Sequence, residues 1–211
     1  MQNFASLLGV IAALTVGVVS PGPSFVMVAR TAVAASRSEG LAAAMGMGAG
    51  GAFFATAALL GLQGVLLAVP SLYAALKGAG GLYLVYLGVQ IWRGAAKPLL
   101  ISGTARPEAT GTGTWRGVLR GFTTQVSNPK TAVVYASVFA AFLPEKQSLG
   151  FAIALVAAVC AVESGWYALV ALALSSERPR SAYLRYKSWI DRAAGTVMVA
   201  LGLKLVSSVR G

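Results

Sequence analysis

Apolar residues run through this chain in long stretches that no charge interrupts. None of Met1–Ala29, Gly40–Leu76, Gly78–Trp92, Thr131–Pro144, Gln147–Val162 or Ser164–Ser176 contains Lys, Arg, Asp or Glu. About 20 apolar residues cross a hydrocarbon core as a helix. The uncharged lengths therefore predict six spans, near 4–28, 41–68, 72–92, 118–143, 148–175 and 191–208. Pro70 closes the second and Pro144 the fourth, because proline cannot continue a helix interior. Segment 93–117 differs in kind: it holds Pro98, Pro107, Gly103, Gly111, Gly113 and four threonines. It reads as a polar linker between two halves, 1–92 and 118–211, of a single transmembrane domain.

Composition turns this pattern into an exclusion. Of 211 residues 57% are apolar and 11% charged, against roughly 25% charged in soluble domains, and the mean hydropathy is +0.74. Such a chain is not a water-soluble globule but an all-α polytopic membrane protein. Its net charge of +11 need not mean a nucleic-acid partner, since basic residues collect in cytoplasmic loops. Six spans put twelve of the basic residues in loops 1–2, 3–4 and 5–6 and four on the opposite face. Lys130, inside a span, belongs to neither side. Both termini are thus expected outside, with the odd loops, including 93–117, in the cytoplasm. Trp92, Trp115 and Trp189 flank those loops as interfacial anchors should. The chain has no His and one cysteine, Cys160, so no disulfide, metal or cofactor is called for. Met1-Gln2-Asn3 offers no basic leader, and the first apolar run is expected to stay as a span.

The two halves resemble each other. Gly81–Ile91 and Gly195–Leu205 agree at four of eleven positions, Gly81/Gly195, Val85/Val199, Leu87/Leu201 and Gly88/Gly202. The first and fourth spans both carry proline motifs, Ser20-Pro21-Gly22-Pro23 and Ser127-Asn128-Pro129-Lys130. Matching them takes offsets of 108 and 114, which one six-residue loop difference reconciles. A three-helix unit repeated once must re-enter the bilayer from the other side, giving two inverted repeats. Chance likeness between Leu- and Gly-rich helices is the competing account.

Pro21 lies nine residues before Arg30 and Pro129 nine after Arg120. At 1.5 Å per residue each is roughly 13 Å from a basic anchor, near the middle of a ~30 Å core. Proline there frees carbonyls that lipid cannot satisfy, so the break must face protein or water. A half-helix starting after it offers free N–H groups to a carboxylate. Helices 1 and 4 are accordingly expected to be broken, with Pro21, Gly22, Pro23, Asn128, Pro129 and Lys130 binding substrate. A simple kink at Pro21–Pro23, or an interfacial cap at Asn128 with Lys130 reaching outward, is the alternative.

These motifs carry a family resemblance. Ser20-Pro21-Gly22-Pro23 with the small-residue stretch Arg30–Gly51, and Gly121-Phe122 through Asn128-Pro129-Lys130 to Phe142-Leu143-Pro144, resemble the lysine-exporter (LysE/RhtB) family of amino-acid efflux carriers. The likeness covers nearly the whole chain. It implies a multi-pass translocator of the bacterial inner (plasma) membrane that exports amino acids, driven by the proton gradient. Many members carry a His in the second span. Here Gly46–Phe54 holds glycines and aromatics instead, so a His relay is absent and more weight falls on Glu163.

Glu163 stands between uncharged runs of 16 and 13 residues, and of the six acids it alone lacks a surface place. A charge at that depth costs ~2.5–3.5 kcal/mol on insertion scales, and such residues usually work in a cavity. Glu163 is read as the proton-coupling carboxylate or the partner of the substrate ammonium. The alternative is a Lys130–Glu163 pair that only locks two helices together. The Gly46/Gly50 spacing, and that of Gly113, Gly117 and Gly121, suits close helix packing. Phe53, Phe54, Trp166 and Tyr167 are expected in the core or against lipid.

The leading function is a proton antiporter that exports amino acids or close derivatives. Its partners are the small-molecule substrate, protons and the lipid bilayer, with no nucleic acid; association into homo-oligomers is open. An enzyme would need paired acids, His clusters or an activated nucleophile, and none is present. No GxxxxGK[ST] motif supports ATP-driven export. An exporter or channel for another small solute or ion, or a non-transporting membrane subunit, is the alternative.

Overall fold

The computed structural model describes residues 2–68, 70–97, 114–144 and 147–207. They form eight helices: α1 Gln2–Val19, α2 Pro23–Ala34, α3 Arg37–Ala68, α4 Pro70–Gly94, α5 Thr114–Val126, α6 Pro129–Phe142, α7 Leu149–Leu174 and α8 Glu177–Ser207. No strand occurs among the described residues. Two helices are by themselves long and apolar enough to cross a membrane, Arg37–Gly61 and Leu149–Leu174. Ser6–Val19 and Pro23–Ala34 pass together as a pair bent by 58°. Leu8, Leu60, Leu82, Leu149, Ile153 and Leu169 are among the large apolar side chains left exposed on these helices, a surface suited to lipid rather than water.

Helix boundaries follow local chemistry. Pro23, Pro70 and Pro129 each open a helix, where a missing N–H costs nothing. Pro70 thus begins α4, and α3 ends two residues earlier at Ala68. Ser148 caps α7, its hydroxyl accepting from the Phe151 N–H at 3.2 Å. α8 departs most from the sequence reading, starting at Glu177 rather than near 191. The basic segment placed in loop 5–6 is therefore largely helical. Lys187, counted among the loop charges, is buried in it and donates to Asp191 at 2.7 Å and to the Ala95 carbonyl at 3.3 Å. Asp191 is itself buried, so Glu163 is not the only acid without a surface place. A basic residue four positions before an acid on one helix face makes this pairing possible. The linker residues 98–113 lie outside the described residues.

Glycines set the closest approaches. Gly46 of α3 lies against the Val118 carbonyl of α5, and Gly121 of α5 against the Ala43 carbonyl of α3; a Cβ at either would collide with backbone. Gly50 abuts the Gln125 side chain, and Gly117 the Ala42 methyl. Gly113 lies outside the described residues. On the other side α4 and α8 run antiparallel with their backbones in contact. A Cβ on Gly88 would stand 2.6 Å from the Gly195 carbonyl oxygen, and one on Gly195 2.6 Å from that of Gly88. Gly81 and Gly202 meet in the same reciprocal way. Small residues of this kind let membrane helices gain dispersion contacts that larger side chains would hold apart.

The buried apolar side chains fall into two clusters. One gathers Val10, Leu14, Ala55, Phe139, Leu155, Val159 and Met198. The other gathers Phe25, Val28, Met47, Tyr167, Val170 and Leu174. Along α7 they are separated at Glu163, close to the middle of the helix. A polar layer is sandwiched there between two dry ones.

Candidate functional site

That layer is built where two helix interruptions meet α7. The chain leaves α1 at Val19 and re-enters helix at Pro23; it leaves α5 at Val126 and re-enters at Pro129. Both gaps expose backbone groups that a continuous helix would have satisfied. Their side chains, with those of α6 and α7, enclose a cavity lined by Ser20, Gly22, Ser24, Phe25, Gln125, Asn128, Lys130, Thr131, Tyr135, Glu163 and Tyr167, closed by Leu14, Gly17, Val18 and Val134.

Glu163 is buried, with 1% of its surface exposed. Tyr135 donates its hydroxyl to Oε1 at 2.9 Å, and Gln125 donates Nε2 to Oε2 at 2.8 Å. The other end of Gln125 accepts from the Ser24 hydroxyl at 2.7 Å, and Ser24 accepts from Asn128 Nδ2 at 2.9 Å. Asn128 Oδ1 in turn accepts from the Lys130 N–H at 3.0 Å, which caps α6. The Lys130 ammonium donates to the Ser20 carbonyl at 2.8 Å, reaching across from the second interruption to the first. It passes Gly22 closely, with Nζ 3.4 Å from where a Cβ would stand. Lys130 is within electrostatic reach of both Asp191 and Glu163, but it bonds the carbonyl. The direct Lys130–Glu163 pair considered from the sequence does not form.

Of the residues singled out in the sequence, the structure brings Gly22, Asn128, Lys130 and Glu163 to one cavity. Pro21 faces a second, outer hollow, while Pro23 and Pro129 are exposed at the helix starts. Those prolines make the gaps without lining them. Gly46 and Gly50 sit on the α3 face that packs against α5. Phe53 is exposed, and Phe54 and Trp166 are half-buried. Tyr167 belongs to the apolar core and also reaches the cavity, beside Ser24. Sequence reasoning missed Gln125 and Tyr135 as partners of the carboxylate, and Ser24 as the partner of Gln125. A signal was present for Gln125, an uncharged but strongly polar side chain between Arg120 and Lys130 in a predicted span.

Two observations speak of a ligand. The buried Ser20 hydroxyl lines the cavity without a hydrogen-bond partner among the described residues, and such groups are rare unless something else satisfies them. Gly22, the N-cap residue of α2, also offers no side-chain cap, and Gly22, Ser24 and Phe25 at that helix start line the cavity. The cavity is contracted, about 20 Å³, where about 10–15 Å³ holds one water. The outer hollow, lined by Pro21, Gln90, Ile91, Gly94, Lys97, Lys187 and Asp191, is about 320 Å³. Among the described residues no group of three or more His, Cys, Asp or Glu could hold a metal.

The chain is similar to known membrane proteins along most of its length. Residues 15–209 match the family model described as LysE type translocator. The threonine efflux protein of Escherichia coli (strain K12) is 32% identical over 193 residues, covering 92% of this chain and 93% of that protein. That of Salmonella typhi is likewise 32% identical over 193 residues, with the same coverage. An uncharacterized membrane protein of Haemophilus influenzae is 30% identical over 191 residues, 90% of each chain. No solved structure matches.

Proposed function

The chain belongs to the LysE type translocator family, and on that premise we propose that it exports a small zwitterionic amino acid, threonine or a close relative, in exchange for protons. It is a membrane transporter and not an enzyme. The observation that carries the reading is one buried cavity with an ammonium group on one wall and a carboxylate on the other. Lys130 and the uncapped start of α2 suit a substrate carboxylate. Glu163 and the Ser20 carbonyl suit a substrate ammonium, and Ser20 Oγ has room for a further polar contact. Substrate ammonium and proton would then compete for Glu163, which is the requirement of an antiporter.

In this reading α1 with α2 forms one span and α5 with α6 another, and α3, α4, α7 and α8 supply the remaining four. The reciprocal contact of Gly81 with Gly202 and of Gly88 with Gly195 supports two inverted three-helix repeats, because a two-fold relation that exchanges Gly81 with Gly195 and Gly88 with Gly202 turns each of these contacts into the other. Both termini lie outside, in the bacterial inner membrane. The outer hollow beside Lys97 and Lys187 then opens to the cytoplasm as the entrance, and the Pro21–Gly22 gap separates it from the central cavity. The cavity must widen to take an amino acid, which calls for movement of the half-helices.

Efflux of labelled threonine from dipeptide-fed cells, with and without the protein, tests the substrate; no acceleration for threonine or its neighbours in size would overturn it. In proteoliposomes, Glu163→Gln is expected to lower pH-gradient-driven efflux by at least 100-fold. Wild-type efflux by that variant, with unchanged pH dependence, would remove Glu163 from the mechanism.

A further inference from the structure

The bonds around Glu163 have a direction. A carboxylate only accepts, so both Tyr135 and Gln125 must donate to it. An amide that gives its NH2 to one side presents its oxygen to the other. Gln125 Oε1 therefore takes the Ser24 proton at 2.7 Å, which leaves the Ser24 oxygen to accept from Asn128 at 2.9 Å. Asn128 has then turned its own oxygen to the α6 N-terminus. The charge state of one residue on α7 thus fixes the orientation of groups on α5, on α2 and in the second gap. Ser24 (2%), Gln125 (1%) and Asn128 (5%) are buried, where an unmade bond costs about 1–3 kcal/mol, so the order is enforced.

We propose that Gln125 is the positioning residue that reports the charge of Glu163 to the two helix gaps by turning over its amide. Once a proton sits on Glu163, the carboxyl must donate through one oxygen. If Gln125 turns over, its oxygen accepts that proton's hydrogen bond and its NH2 faces Ser24. The Ser24 hydrogen is then displaced, and the Tyr167 hydroxyl lies within its reach as a new acceptor. Ser24 has two lone pairs, so it can accept from Gln125 and Asn128 together. The Glu163 carboxyl, the Gln125 oxygen and the Ser24 hydroxyl each have a partner in both orders, with Ser24, the second residue of α2, pulled differently in each. A group with two satisfied arrangements is a two-state element that a proton can bias.

The groups facing Glu163 leave Gln125 this role. From α6 come Lys130 and Tyr135, and from α7 itself Tyr167 and Cys160. From α8 Asp191 acts only through Lys130. From α3 the neighbour is Gly51, whose Cβ would lie 2.9 Å from the Glu163 Cγ. α1 and α2 bring Ser20 and Ser24 to the cavity and no titratable group. Tyr135 could instead reverse, but its hydrogen would then need another acceptor, and its ring is held between Phe54 and Phe139.

The inference rests on proton antiport through Glu163 and is tested beside it. Proteoliposomes carrying the full chain are given a pH difference of one unit, acid outside, with the membrane potential clamped, and the steady-state ratio of labelled threonine is read. One unit sustains a ratio of about 10 for one proton per substrate. Wild type is expected to approach that ratio, and Gln125→Leu to fall to between 1 and 2. Slow transport alone delays the steady state without moving it, so a merely structural defect leaves the ratio intact. Should Gln125→Leu not be recovered folded, Ser24→Ala cuts the next link and is expected to halve the ratio or more. A wild-type ratio in both variants, or in Ser24→Ala where it alone is recovered, overturns the relay. A ratio near 1 for wild type overturns proton coupling and the relay with it. A full ratio in Glu163→Gln overturns the role of the carboxylate while leaving antiport standing.

Discussion

The two helix gaps, one before α2 and one before α6, are finished differently. At the second, Asn128 caps α6 with its own side chain, and the helix start is satisfied from within. At the first, Gly22 has no side chain to give, and α2 begins uncapped. The first gap also surrenders the Ser20 carbonyl to Lys130, a residue of the second. One gap is self-contained in its cap and supplies a cation, with Asn128 also donating to Ser24 of α2; the other is uncapped and is held by that cation. A symmetric pair would bind a substrate in two orientations. In the proposed reading this pair offers a substrate carboxylate its place beside Gly22 and Lys130.

The largest blow to that asymmetry is Lys130→Met, which keeps the stem and removes the charge. Export is expected to fall at least 100-fold in the proteoliposome assay, with Lys130→Arg recovering a fraction, because a planar guanidinium does not replace a compact ammonium. A smaller, graded effect comes from Gly22. Alanine there would touch the Lys130 side chain at 3.4 Å, an ordinary contact, and transport should stay within about threefold of wild type. Leucine would occupy the place of the ammonium, and a fall of more than 20-fold is expected. The smallest effect is at the closed gap. Asn128→Ala removes a cap worth about 1 kcal/mol, and the detergent-solubilised protein should melt about 2–4 °C lower, while Asn128→Asp retains the cap. If Asn128→Ala instead abolished transport with no change in melting, the second gap would be no more self-contained than the first.

Much of this arrangement was legible before any coordinates. Uncharged runs predicted an all-helical chain, because a bilayer tolerates few charges, and proline marked where α2 and α6 begin, while Pro70, read as the end of a span, begins α4 instead. Glu163 was conspicuous for the same reason. The start of α8 was not legible, since its first half is amphiphilic and charge alone reads as loop. Lys187 and Asp191 were hidden with it, because burial of a pair depends on what packs over it, here the end of α4. Gln125, Ser24 and Tyr135 escaped for a different cause: a neutral polar side chain within a span carries no sign of its partner. Only the meeting of α2, α5, α6 and α7 shows that Gln125 and Tyr135 bond one carboxylate and that Ser24 joins it through Gln125.

Where α4 and α8 touch through glycine, carbonyl rests against Cα without a side chain between them. Such a seam has no layer of rotamers to absorb sliding, and a shift of even an ångström would drive backbone into backbone. The pair is therefore a fixed post. In the proposed transport cycle whatever swings must swing against it, and α5, seamed to α3 through Gly46 and Gly121 in the same way, can travel only together with α3.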